Sequence, residues 1–596
     1  MQLQRLRIPI FRNLRDMEIV FNTHLEAAAD SSADTPPLSI RSHALIGQNG
    51  TGKSNLIEAL ITIFRDIDLD REAPFDYTLE YSIRGHSVRI EADISKQKRP
   101  FVWVDGEQKS QDYLIKNDPP DKVPRDERRG PRLLPTHIFA YYSGRNERIE
   151  TLFKEHQQRF IRRMEKPTDE VLPAQLLSNF SASASDIQAI EATQKRQQSS
   201  LRKLGDDRLR RLFYCRGGHS QLVLLACLLS DDPVFKKVMS NLHIESLESA
   251  LFVLKEPYYL REKRRSGRFD ENELNEGDPR FWYARGNVVS EFLDKLWQVA
   301  WAPIEQEATK PIDFRGRTER QKQLYLYVSS QEKLKQLGEL VGSTDSFFRY
   351  AEGAYIGDLI DEVRITVKKR DEHGGKVSFT QLSEGELQML TVLGLMRITR
   401  EDHCLFLLDE PDTHLNPIWK LRYFDDIEGV LTAADGALVQ GESQILITTH
   451  DPMMVGSLKR EQVHILRSEG NRTVVDQPDT HPQGMGVTGL LKSELFGLAS
   501  TLDTETERRL FRRNELFVKT PRTAEEDAEL SRLSAELADL GFSTADFRDP
   551  DYALFVRKMS QHRKFRKPVL TPEEQAEQDA IADSIIDEIL REEVAQ

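Results

Sequence analysis

Four short stretches carry residue types that can do chemistry together. GQNGTGKS, from Gly47 to Ser54, has two glycines separated by four residues and followed by Lys and Ser. In that pattern a glycine-rich backbone turns successive N–H groups around phosphate oxygens at a helix N-terminus. Gly47, Gln48, Asn49, Gly50, Thr51, Gly52, Lys53, Ser54 and Asn55 are therefore candidate nucleotide contacts. Lys53 would reach the β- and γ-phosphates, and Ser54 would ligate Mg2+. In LLDEPDTHLNP, Asp409 closes an apolar run and can hold Mg2+ through water. Glu410 beside it can polarise an attacking water as a general base. His450, after ILITT, can face a γ-phosphate from the opposite side, although a lone histidine at a strand end is more often structural. LSEGE, Leu382 to Glu386, is by itself only a helix start with Ser383 as its cap.

These residues need strands and helices to bring them together. His43 to Ile46 is a short apolar run opening into the glycine loop, and apolar residues at 56, 57, 60, 61, 63 and 64 then recur at helical spacing. Leu405 to Leu408 and Ile445 to Ile447 are further short apolar runs ending in polar residues, as buried parallel strands do. The first twenty residues predict two strands joined by a turn, and 75 to 105 alternates like strands. Residues 107 to 132 are polar and proline-dotted and predict a loop. From 150 to 350 the pattern predicts mostly helices, and Val363 to Lys368 returns to strand. The expected fold class is α/β. The expected divisions are an N-terminal lobe at 1–150, a helical insertion at 151–355, a second lobe at 356–480 and a helical extension at 481–596.

Taken in order, Gly47–Ser54, Leu382–Glu386, Leu405–Glu410, Pro411–Asn416 and His450 resemble the Walker A, signature, Walker B, D-loop and switch histidine of ABC-type ATPase heads. The resemblance implies a P-loop NTPase head that uses ATP and Mg2+. It also implies a head-to-head dimer in which Ser383 and Gly385 bind the γ-phosphate of ATP held by a second protomer. The signature departs from LSGGQ at Glu384 and Glu386, as in the RecF/SMC/OLD-like branch. The glutamine loop has no clear match; YYSGRNERI is the candidate, with Asn146 in place of the glutamine. Ser54 and Ser383 lie 329 positions apart, more than a transporter head holds between these motifs.

FYCRGGHSQLVLLACLLSDDPVF, FWYARGNVVSEFLDKLW, GVTGLLKSELFGL and DPDYALF are similar to the PtuA family of anti-phage ATPases, from Septu and retron-associated defence systems. That likeness implies an HNH nuclease subunit as partner. Retron versions also engage a reverse transcriptase and its RNA-linked DNA. The alternative is a repair or chromosome-maintenance ATPase of the RecF/SMC type, working without a nuclease. No nuclease constellation is read on this chain; Asp549-Pro-Asp551 reads as a capping turn.

Charge and composition set limits on these classes. The chain has 596 residues and a formal charge of −14, which excludes a uniformly basic nucleic-acid coat. Thr193 to Arg216 nevertheless holds eight basic residues against two acids, including Lys203, Arg208, Arg210 and Arg211. This is either a solvated helix face or a contact for a DNA or RNA backbone. A basic block at 551–570 precedes an acidic end at 571–596, which is either a frayed tail or an amphipathic helix that docks on another subunit. The longest apolar run, Leu222 to Leu229, has eight residues, well short of the roughly 20 that span a bilayer. No membrane partner is expected, and the N-terminus lacks a secretory pattern, so a cytoplasmic location is expected. Cys215, Cys227 and Cys404 show no paired spacing and are expected to be buried and inert.

Overall fold

The strands of the chain assemble into three sheets. The computed structural model describes residues 1–21, 42–115, 133–164, 212–311, 316, 318–398, 403–431, 443–498 and 502–540, with short breaks at 145, 269–273, 275–276, 287, 371–373 and 520. In chain order, β1 (Gln2–Phe11) and β2 (Leu14–Val20) form the expected hairpin. Leu3 and Leu6 are both buried despite their odd spacing, because the register of β1 shifts between Leu3 and Arg5. Next come β3 (Ser42–Ile46), α1 (Lys53–Asp68), β4 (Tyr77–Ile83), β5 (His86–Ala92), β6 (Phe101–Val104) and β7 (Glu107–Lys109). Strands β2-β1-β4-β5-β6-β7 make one antiparallel sheet. The expected loop at 107–132 thus begins with a strand, and its residues 116–132 lie outside the described ones.

The central sheet adds β8 (Ile138–Tyr142), followed by α2 (Glu147–Met164), and β9 (Leu212–Tyr214), followed by α3 (His219–Leu229). It also includes β15 (Leu405–Asp409), β16 (Gln444–Thr448), β17 (Val463–Glu469) and β18 (Arg472–Asp476). Its order is β18-β17-β3-β16-β15-β8-β9, parallel except for β18 at the edge. Every residue of β3, β15 and β16 is buried, as expected of parallel strands covered on both faces. Alternation sorts them. Leu45, Leu405, Leu407 and Leu446 join the core shared with α1 and the antiparallel sheet, whereas Ala44, Ile46, Phe406, Leu408, Ile445 and Ile447 face the opposite core.

The span from 151 to 355 does hold helices, among them α3 and α4 (Thr344–Ile356), but also three long strands: β10 (Ile244–Lys255), β11 (Trp301–Pro311) and β12 (Thr318–Val328). With β13 (Ile360–Lys369) and β14 (Lys376–Ser378) they form an antiparallel sheet of order β11-β12-β10-β13-β14. The expected division at 355 therefore runs between strands of one sheet. IESLESALFVLK hid its strand because the register shifts between Ile244 and Ser246, Leu247 and Ser249, and Val253 and Leu254. These shifts leave Leu247, Ala250 and Leu254 buried at helix-like spacing. Helices α5 (Glu384–Ile398) and α6 (Pro417–Leu431) flank β15 in sequence and belong to the same core as this sheet.

Two compact units divide at Phe496 and Gly497. The second contains α7 (Thr504–Val518) and α8 (Ala524–Asp539), an antiparallel pair with Leu516, Leu533 and Leu537 buried. Asp503 caps α7, and Arg512 bridges to Glu529. Cys215, Cys227 and Cys404 are all buried. Among the described residues no helix is long and apolar enough to cross a membrane.

Candidate nucleotide site

The end of β3 delivers the chain into Gly47–Gly52, and α1 starts at Lys53. Gly52 has φ 106°, and a Cβ there would lie 2.4 Å from Leu14 Cδ2, so a larger residue would displace the loop from the β1–β2 turn. That turn also grips the loop through polar groups. Asn13 Nδ2 donates to Gly50 O at 2.5 Å, and Asn55 Nδ2 donates to Asn13 Oδ1 at 2.6 Å. Lys53 Nζ donates to the carbonyls of Gly47 at 2.7 Å and Gln48 at 3.2 Å. Burial pushes the Lys53 ammonium below its usual range, opposed by the nearby carboxylates of Glu410 and Asp409. Gln48, Asn49 and Gly50 are exposed.

Three neighbouring strands place one row of polar side chains beneath this loop. Thr448 pairs with Asp409 across β16 and β15, and Asp409 pairs with Tyr142 across β15 and β8, so all three side chains point to the same face. Asp409 is 1% exposed. Its Oδ1 accepts from the Thr448 hydroxyl, and its Oδ2 is buried without a hydrogen-bond partner. Burial pushes the Asp409 carboxyl up, and Glu410 adds to this, against the Thr448 and Ser54 hydroxyls and the Lys53 charge. A buried carboxylate with an open oxygen beside a serine hydroxyl suits a divalent cation, whose charge offsets the desolvation. Among the described residues no three His, Cys, Asp or Glu side chains gather for a metal. A cation here would rest on Ser54, Asp409 and ligand oxygens.

Glu410 turns out of the sheet with φ 49°, held by its N–H donating to Thr448 O and Oγ1, both at 3.1 Å. A non-glycine residue in the left-handed region stores strain, which such anchoring must overcome. The turn aims the carboxylate at His450, whose Nδ1 lies 3.1 Å from Glu410 Oε1. Tyr142, half-buried at the end of β8, has its phenol pushed up by burial and by Asp409 and Glu410, against Arg148. Asn146, the candidate for the glutamine-loop place, starts α2. Its Oδ1 accepts from Ile149 N at 3.2 Å and so caps α2.

Ser383 and Gly385 belong to a separate constellation. Ser383 Oγ accepts from Glu386 N at 3.2 Å, and Glu386 Oε2 accepts from Ser383 N at 2.8 Å and from its hydroxyl at 3.0 Å. This reciprocal cap starts α5. A Cβ on Gly385 would lie 2.5 Å from His414 O, so the segment and the Pro411–Asn416 loop pack backbone to backbone. Gln388 Oε1 accepts from His414 N at 3.2 Å, and His414 pairs with Glu384 at 3.1 Å.

Several contributors had no local signal. Glu58, one turn into α1 and with a side chain only 3% exposed, pairs with Arg12 at 2.5 Å and Arg148 at 3.1 Å. Arg148 also donates to Asn55 Oδ1 at 3.0 Å. Thr448 sits inside the ILITT run, where a strand threonine reads as packing. Lys203, Arg208, Arg210 and Arg211 lie outside the described residues. Arg216, from the same basic stretch, pairs with Glu150 at 2.6 Å.

Residues 223–455 match the profile of a family described as "AAA domain, putative AbiEii toxin, Type IV TA system". The matched span holds Ser383, Gly385, Asp409, Glu410 and His450 and begins after the phosphate loop. Among solved structures, the SMC head domain from Thermotoga maritima is similar, at 10% identity over 80% of this chain and 100% of that one, with a TM-score of 0.29. No curated protein matches the sequence. The chain carries an AAA-type ATPase domain, and its fold is α/β with a P-loop at the end of a parallel strand.

Proposed function

We propose that this chain binds Mg2+ and ATP at Gly47–Asn55, closes head to head with a second copy around the nucleotide, and thereby regulates a separate nuclease. The observation that carries the reading is the convergence of Lys53, Ser54, Asp409, Glu410 and His450 at the carboxyl ends of β3, β15 and β16. The loop N–H groups and Lys53 bind phosphates; Ser54 and Asp409 would hold a divalent cation, whose chemistry would be to offset charge on the phosphate oxygens. Glu410 accepts a proton from an attacking water, and His450 holds the carboxylate on that side. Ser383 and Gly385 offer a helix N-terminus to the γ-phosphate on the other copy.

The regulated partner is an HNH nuclease in an anti-phage system of the PtuA kind, with a reverse transcriptase and its RNA-linked DNA where a retron is present. The sequence stretches quoted above support this assignment. Lys53→Ala should abolish nucleotide binding, and loss of binding without loss of fold is read from a ligand-induced melting shift. Co-purification with the neighbouring gene products, followed by mass measurement, tests the partner. Recovery of an HNH protein supports defence, whereas recovery of recombination or replication proteins supports the repair alternative.

A further inference from the structure

The Leu382–Glu386 segment presents two carboxylates beside a serine that, in the reading above, must meet a polyanion. Each carboxylate has a nitrogen partner from elsewhere in the chain. Glu384 is exposed and faces His414. Glu386 faces Lys369, the last residue of β13, with Nζ 2.6 Å from Oε1. The Lys369 and Glu386 side chains are only 10% and 17% exposed, so this is an enclosed pair. The other oxygen of Glu386 accepts both the N–H and the hydroxyl of Ser383. Burial pushes the Glu386 carboxyl up, but Lys369 and the two Ser383 donors outweigh it and hold the group below the usual carboxylate range. The charge on Glu386 is therefore kept, and its position is shared between β13 and Ser383.

We propose that Lys369 is a positioning residue that neutralises Glu386 and so lets Ser383 offer its hydroxyl to a nucleotide γ-phosphate on a second copy of the chain. The inference rests on the proposed reading of Ser383. Without Lys369, an uncompensated carboxylate lies within hydrogen-bond reach of the serine that contacts the phosphate. The like-charge repulsion in this enclosed setting then opposes closure. The same pair joins the β11-β12-β10-β13-β14 sheet to the start of α5, so a displacement of β13 is felt at Ser383.

The test is ATP-dependent self-association of the full chain in a Glu410→Gln background, followed by mass measurement across protein concentration, with nucleotide binding measured in parallel. Lys369→Met should weaken association by about tenfold or more while leaving ATP affinity unchanged, which corresponds to at least about 1.4 kcal/mol. Lys369→Arg should associate like the parent. Adding Glu386→Gln to Lys369→Met should restore association, because no lone carboxylate is left. If Lys369→Met fails to fold, the double variant decides alone: a folded double variant that does not associate overturns the proposal. Parent-like association of Lys369→Met, or failure of Glu386→Gln to rescue it, also overturns it. Ser383→Ala separates the two levels. If it loses association while Lys369→Met keeps it, only the present inference fails. If Ser383→Ala associates normally, or the Glu410→Gln parent never associates, the reading of Ser383 falls as well.

Discussion

His450 Nδ1 lies 3.1 Å from Glu410 Oε1, and that contact joins the ends of β15 and β16 across the mouth of the phosphate loop. Glu410 reaches it only because its backbone leaves the sheet in a left-handed turn clamped by Thr448. The His450 and Glu410 side chains are 56% and 34% exposed, as groups that must meet water should be.

Glu410→Gln should therefore keep ATP binding and lose turnover. A general base contributes about 10²- to 10⁴-fold, so phosphate release should fall by at least about 100-fold. Adding His450→Ala should cost little more, since residues acting as a unit are not additive. Phosphate release at the parental rate in Glu410→Gln would reassign the base.

Asp409 gives a pH-dependent expectation. Its folded pKa is raised, so between the ordinary carboxylate range and the raised value the folded chain holds a proton that the unfolded chain has released. Stability from this group falls as pH rises through that window, and the cost is fully present above it. Asp409→Asn removes the cost. Without nucleotide, the variant should melt above the parent at pH 7 and match it at pH values below the ordinary carboxylate range. Mg2+ with ATP should raise the melting temperature of the parent and not of the variant.

Glu58 holds two arginines that come from opposite ends of the N-terminal lobe. Both guanidiniums are 42% exposed, so solvent screens much of the pairing and the expected cost of Glu58→Gln is about 1–2 kcal/mol rather than that of a fully buried pair. Urea unfolding should show a lower midpoint with an unchanged slope.

Gly385→Ala tests the packing between the start of α5 and His414. In an open helix this exchange stabilises by about 0.5–1 kcal/mol. Here the new methyl would lie 2.5 Å from His414 O, so the sign should reverse and the melting temperature should fall. ATP binding to the single chain should survive, because the phosphate loop is untouched, whereas ATP-dependent association should not.

Legibility followed the distance along the chain over which each feature is encoded. Gly47–Ser54, Asp409-Glu410 and the strands around them could be read directly, because a phosphate loop and an apolar strand are each specified within about ten residues. The strands β10, β11 and β12 could not be read as such. Register shifts broke the alternation of β10, and β11 is held by cross-strand pairing rather than by an apolar face. The place of Asn146 in YYSGRNERI made it the candidate for the glutamine of the loop, and only the fold showed its oxygen capping α2.

The candidate groups could be read from the amino-acid sequence alone: a glycine loop with Lys53 and Ser54, and a carboxylate pair at a strand end. Tertiary structure alone decided which groups complete the site. The Thr448–Asp409–Tyr142 row exists because β16, β15 and β8 are neighbours in register. Arg12 and Arg148 meet at Glu58, and Lys369 meets Glu386, because separate elements pack together. Such pairings depend on strand order and helix docking, which no local run of residues encodes.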